Sequence, residues 1–300
     1  MKFKRYASPK NFAADALEIL LENEVQNNLP ISFINDKEAD TSKWLLGTVK
    51  DADGNVVLVS ACTPPFNLVL YETGNKPNDE AVKLLSNELK SIRFTFPGVL
   101  AEQGLATRFA EIYAGNIGFH RHMSMNIMRL DAVNEREKAP GFCRLLREDD
   151  LFYVPYWERA YGEDCNHAEV YDIQTDVERL KARLGKDSHY IWENGHPVSQ
   201  AVHSRSTQNG AVINGVYTPP HYRGRGYASS LVAELSRILL GRGNKFVCLL
   251  MQQILFLAEC IARLGIMISA FLMKSDLMVK RIFWICRCLI SLDLKTFMMR

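Results

Sequence analysis

Three hundred residues, 47% of them hydrophobic, suggest two domains of ordinary size with apolar residues ample for two cores. A net charge of +2 excludes a general basic field for nucleic acid. Seven cysteines, odd in number and mostly scattered, argue for reduced thiols in a cytoplasmic protein rather than a disulfide framework, and "CRC" is no metal spacing, so no metal is expected.

In chain order, the opening "MKFKRYASPKNFAADALEILLENEV" lacks an apolar signal core and reads as an amphipathic helix from about Ala14, followed by a turn. "WLLGTVKDADGNVVLVSACTPP" predicts a hairpin turning at Asp53-Gly54, and "NDEAVKLLSNELKS" a helix. "PGVLAEQGLATRFAEIYAG" predicts a turn and a helix, and "HRHMSMNIMRL" a strand that closes the first half. The charged, breaker-rich "AVNEREKAPG" is the expected linker, residues 132–141. Beyond it, "REDDLFYVPYWERAYGE" and "DVERLKARLG" predict helices, "SHYIWENGHPVSQAVHSRS" a hairpin turning at Asn194-Gly195, and "NGAVINGVYTP" the next strand. Each half runs helix, hairpin, strand, helix, so the first resembles a degenerate copy of the second.

The chemistry concentrates in "VYTPPHYRGRGYASSLVAEL". A helix leaves its first backbone N–H groups unpaired and its dipole makes that end partly positive, so anions settle there. Gly224 and Gly226 suit a tight turn with positive φ and close ligand approach, while Arg223 and Arg225 add oxyanion donors. After Tyr227, apolar residues at Ala228, Leu231, Val232, Leu235, Ile238 and Leu239 define one buried helix face. Alone, "RGRG" also suits a solvated loop or a plain strand-to-helix turn; the ordered context of strand, loop and amphipathic helix favours a phosphate site. The spacing fits neither the dinucleotide fingerprint nor a P-loop.

Arg223-Gly224-Arg225-Gly226-Tyr227-Ala228 resembles the R-x-x-G-x-[GA] signature of the GNAT acetyltransferase superfamily, and the longer string is similar to a bacterial subgroup with an extra N-terminal domain. The resemblance implies an α/β (α+β) fold, with mixed, mostly antiparallel sheets flanked by helices in two tandem domains. Residues 1–131 would be the degenerate N-terminal domain and 142–250 the acetyl-CoA-binding one. It implies acetyl-CoA as co-substrate, with the pyrophosphate on the loop amides of Arg225 to Ala228 and Ser229 beside them. It also implies that backbone groups of Val216, Tyr217 and Thr218 hold the pantetheine arm. In the first half, "FPGVLAEQGLATRF" offers Glu102 and no arginine before its helix, which would repel a pyrophosphate.

Direct acetyl transfer to an amine needs a neutral nucleophile, a polarised thioester carbonyl and a proton for the leaving thiolate. The residues do not single out a base: Glu193, Glu158, His203 and Tyr217 all remain open. Trp157 and Tyr161 lie on the segment that lines the acceptor side in the family, and the acceptor is a small-molecule or peptide amine. The family's usual acid is a tyrosine in N-P-x-S-N-x-x-Y-x-K-x-G-Y, which this chain lacks.

From residue 251 to 300 the text changes character: no Pro, Asn or Tyr, and many methionines. A membrane segment over Ile254 to Met273 is long enough, but Glu259 and Arg263 near its middle each cost a few kcal/mol, so no membrane partner is expected. A divergent core helix is a second reading. The third is a reading-frame change: regrouping the codons from Met251 onward permits A-[AT]-[ND]-P-I-S-x-x-V-Y-x-K-I-G-Y, the missing motif with its spacing intact. We adopt the third, an aberrant tail produced by a one-base change near Leu249 to Met251. A non-catalytic acyl-CoA-binding or interaction protein is the alternative to an enzyme, and a membrane-anchored protein rests on the apolar tail alone.

Overall fold

The computed structural model describes residues 1–36, 40–119, 125–135, 137–164 and 172–252. Of the tail read over 251–300, Met251 and Gln252 are described, and the rest, with nearly all of the motif expected there, lies outside these residues.

Two mostly antiparallel sheets are flanked by helices. The first half runs β1 (Lys2–Arg5), α1 (Pro9–Glu22), α2 (Asn28–Asn35), β2 (Leu45–Lys50), β3 (Val56–Cys62), β4 (Leu68–Glu72), α3 (Asp79–Ser91), β5 (Val99–Leu100) and α4 (Gln103–Ala114). After β6 (Met125–Leu130) the second half runs β7 (Phe142–Leu145), a 3-10 turn at Glu148–Phe152, α5 (Val154–Asp164) and α6 (Ile173–Lys181). It continues through β8 (His189–Glu193), β9 (Pro197–Ser206), β10 (Gly210–Tyr217), α7 (Tyr227–Gly241) and β11 (Phe246–Gln252).

Local chemistry accounts for most boundaries. Ser8 and Pro9 start α1, with the Ser8 hydroxyl accepting the Asn11 N–H at 3.3 Å. The β2–β3 hairpin turns where expected: the Asp51 carboxylate accepts the N–H groups of Asp53 and Asn55, and Gly54 takes φ +87°. Where the sequence suggests only a turn after α1, α2 forms a second helix because Pro30 and Ile31 are buried. Strands β1, β4, β5, β7 and β11 are additions to the sequence reading; the first four are short, and none shows alternation long enough to stand out.

The sheet orders are β1-β2-β3-β4-β5 and β6-β11-β10-β9-β8-β7. Both are antiparallel except for the parallel pairs β4·β5 and β10·β11 and share one plan: edge strand, two helices, three-strand meander, helix, parallel strand. The expected repeat is therefore present, but its alignment shifts. The counterpart of α7 is α3, not the helix after Glu102, and the counterpart of β11 is β5. The strand expected to close the first half, β6, instead pairs with β11 through the register Val247↔Leu130 to Gln252↔Met125.

Strand alternation divides each core in two. On β8, Tyr190 and Trp192 pack beneath α7 with Leu231, Leu235 and Leu239, while Ile191 faces Val154 and Leu180 of α5 and α6. Across the halves, the Glu24 carboxylate accepts the Asn209 backbone N–H at 2.7 Å and its side-chain amide at 2.8 Å, and Val25 packs on Val212, Phe246 and Cys248. Among the described residues no helix is long and apolar enough to cross a membrane.

Candidate functional site

Two strands separate beside a helix end. β10 pairs with β11 only over Gly210–Ile213 and Phe246–Leu249. Beyond these pairs β10 runs on toward Tyr217 beside β9, while β11, paired with β6 from Val247 to Gln252, continues beside β6 alone. The β9 register also slips between Asn214 and Tyr217, where Gly215 takes φ +57°, a bulge conformation that favours glycine. The opening thus lies next to the backbone of Val216, Tyr217 and Thr218, whose groups on that side have no β11 partner.

Side chains hold this stretch in place. Val216 packs toward the α7 core, and Tyr217, on the other face, lies 6.4 Å from Trp157, ring centre to ring centre. The Ser199 hydroxyl donates to the Tyr217 carbonyl at 3.1 Å and lies 2.8 Å from the Thr218 hydroxyl, which must then be the donor between the two.

The loop ends at α7. Gly224 and Gly226 both take φ +78°, and Gly226 is the N-cap, with no side chain capping the helix. The first-turn amides of Tyr227, Ala228 and Ser229 therefore face outward as donors without a capping side chain. A Cβ at Gly224 would meet nothing within 4 Å, and one at Gly226 only Ala139 at 3.7 Å. Backbone conformation, not crowding by the protein, is what asks for glycine here. Tyr227 turns inward and accepts a hydrogen bond from Asn194 at 2.9 Å.

The two arginines differ. Arg223 donates to the Thr218 carbonyl and to Asp164 at the end of α5, each at 2.8 Å, and so ties the loop to that helix. Arg225 is exposed, lies over the Tyr222 ring at 6.0 Å, and has no carboxylate partner among the described residues.

Behind the bulge, α5, the turn after α6, the approach to β8, β9 and β10 border a cavity of about 280 Å³ lined by Glu158, Arg183, Ser188, His203, Asn214 and Gly215 among others. Glu158 is 19% exposed and accepts a hydrogen bond from Gln200 at 2.7 Å. Burial raises its carboxyl above the ordinary range, against the opposing pull of Arg183. Beneath it His189 is pulled down to about 3, first by burial and then by Arg183, and is neutral.

The other candidate bases fare differently. Glu193 is bound to Arg144, with Arg147 at 3.9 Å, and does not line the cavity. His203 lines it but lies 3.1 Å from the Ser206 hydroxyl. Tyr217 is raised by burial, which disfavours its charged form. Tyr161 joins the lining, whereas Trp157 supports Tyr217. Sequence reasoning missed Gly215, Gln200 and Arg183; only Gly215 carries a signal, a glycine inside a strand pattern.

The first half closes the matching position. At the start of α3, Asp79 and Glu80 occupy the first turn and the Asn78 side chain caps Ala81 at 3.1 Å. Arg108 is bound to Glu72 and, at 2.8 Å, to Asp79. Internal carboxylates already serve this helix end, so the expected acidic barrier stands on Glu72, Asp79 and Glu80 rather than on Glu102, which caps α4. Calorimetry on the whole chain should accordingly give one acetyl-CoA per molecule; a stoichiometry of two would show the first half to be competent.

Residues 144–253 match the Acetyltransferase (GNAT) family. Among curated proteins, none matches the chain. A GCN5-related N-acetyltransferase from Sphaerobacter thermophilus is similar in structure with a TM-score of 0.60, 16% identity and coverage of 89% of this chain and 93% of its own. A GNAT-family acetyltransferase from Colwellia psychrerythraea gives 0.54, 12%, 90% and 97%. A Drosophila protein gives 0.59, 12%, 89% and 95%. At these identities the solved structures show the fold, and it is the sequence match over residues 144–253, laid on the strand, loop and helix just described, that makes this part of the chain similar to the GNAT acetyltransferase family.

Proposed function

We propose that the second half binds acetyl-CoA and transfers its acetyl group to an amine on a small molecule or peptide. The observation that carries this reading is the divergence of β10 from β11 beside an uncapped helix N-terminus. Unpaired strand groups suit the amides of a pantetheine arm, and first-turn amides suit a pyrophosphate. In this reading Arg225 to Ser229 and Gly224 hold the phosphates, Val216 to Thr218 hold the arm, and Arg223 fixes the loop.

Acetyl-CoA supplies an acyl group already activated as a thioester. Glu158 takes the proton that makes the amine nucleophilic, because it is the cavity's carboxylate and burial raises its affinity for protons, as a base requires. The free thiols Cys62, Cys143 and Cys248 support a cytoplasmic setting.

The domain reading is also a proposal: a degenerate first half, a linker, a working second half, and a tail from residue 251 altered by a frame change. Thiol release from acetyl-CoA over a panel of amines tests both activity and tail. The chain encoded in the restored frame should turn over faster than the chain as written. Equal rates from the two, or an intact gene encoding an active protein, would overturn the frame reading. Acetyl-CoA binding without turnover in either chain would favour a non-catalytic acyl-CoA-binding protein.

A further inference from the structure

The cavity behind the bulge holds unspent hydrogen-bonding capacity of both signs. One Glu158 oxygen is taken by Gln200 at 2.7 Å, whereas the other has Arg183 at 3.7 Å, too far for a hydrogen bond. Arg183 carries five donors, yet among the described residues its side chain meets only that oxygen and, at 3.4 Å, the His189 ring. The two side chains are 19% and 28% exposed. Partly desolvated charges this close, without direct hydrogen bonds between them, repay little of their burial cost.

Resting on the acetyltransferase reading, we infer that the amine acceptor also carries a carboxylate, as a free amino acid does, with its ammonium at Glu158 and its carboxylate at Arg183. A zwitterion satisfies both groups, and Arg183 can offer it paired N–H donors. A polyamine would be repelled by Arg183, and an amino sugar, which carries no anionic group, would leave the guanidinium unanswered. Ser188, Ser204 and Asn214 bring short polar groups to the same wall, which suits a small polar ligand. In the transfer, the ammonium first gives one proton to Glu158. The nitrogen–carbonyl bond then forms as the carbon–sulfur bond breaks toward sulfur, and the second nitrogen proton ends on the departing thiolate.

Calorimetry on the full chain with each of the twenty protein L-amino acids tests this. At least one should bind, and its carboxamide and decarboxylated amine should bind more weakly by about tenfold or more. Arg183→Gln should lower the amino acid to the level of its carboxamide, leave the acetyl-CoA affinity unchanged and the amine's no weaker, and be partly rescued by Arg183→Lys. Unchanged acetyl-CoA binding reports that the variant is folded. Failure of every amino acid to bind, equal binding of acid and carboxamide, or no effect of Arg183→Gln would overturn the inference. If acetyl-CoA binds in those cases, the acetyltransferase reading survives it; if acetyl-CoA does not bind, that reading fails as well.

Discussion

Gly226→Asp should weaken acetyl-CoA binding by on the order of 10²-fold, since a carboxylate about 5 Å from a phosphate at an effective dielectric near 20 costs roughly 3 kcal/mol. Position 226 has φ +78°, so any side chain there also strains the backbone. Gly226→Asn separates the two effects, because asparagine tolerates this conformation about as well as aspartate and carries no charge. Calorimetry on both variants should show the larger loss for aspartate, and added salt should narrow the gap. Equal affinity for acetyl-CoA in wild type and Gly226→Asp would remove the phosphate assignment.

Glu158→Gln should lower the transfer rate by about 10²- to 10⁴-fold, the usual contribution of a positioned base. The wild-type rate should rise with pH as Glu158 loses its proton, and the variant's profile should lose that limb. The effect on stability runs the other way. A carboxyl whose folded pKa lies above its unfolded value binds more protons when folded, so its contribution falls as pH rises from the unfolded value through the folded one. Above that window the glutamine variant should melt at a higher temperature than wild type. A variant that keeps its rate and its pH limb would show that the proton leaves by another route.

The signature helix, both hairpins and the two-half plan were legible because their signals are local. Asp53-Gly54 and Asn194-Gly195 set hairpin turns, and Tyr227 to Leu239 repeats at helical spacing. The acceptor cavity was not legible in the same way. Glu158, Gln200 and Asn214 come from three elements and Arg183 from the turn after α6, and only the folded meander brings them together. The phase of the repeat is hidden for a related reason: β4 is five residues long and resembles any apolar stretch, so the sequence suggests the loop after Phe96 where the structure has the loop after Glu72. Pairing partners leave no local mark either, and nothing in "MNIMRL" says which sheet it will join.

That last strand binds the two halves in a way their separate cores would not suggest. β6 leaves the first half before the linker and is hydrogen-bonded along β11 by six residue pairs, from Leu130 to Met125. A protease nick between the exposed Glu137 and Lys138 would therefore not let the pieces drift apart, because the N-terminal piece would still lend a strand to the other's sheet. Neither half can be excised cleanly: the second would be left with a bare sheet edge, the first with a stray apolar strand. The two copies should therefore melt in one cooperative transition, which calorimetry would check, because the first half lends the second a strand that it cannot replace.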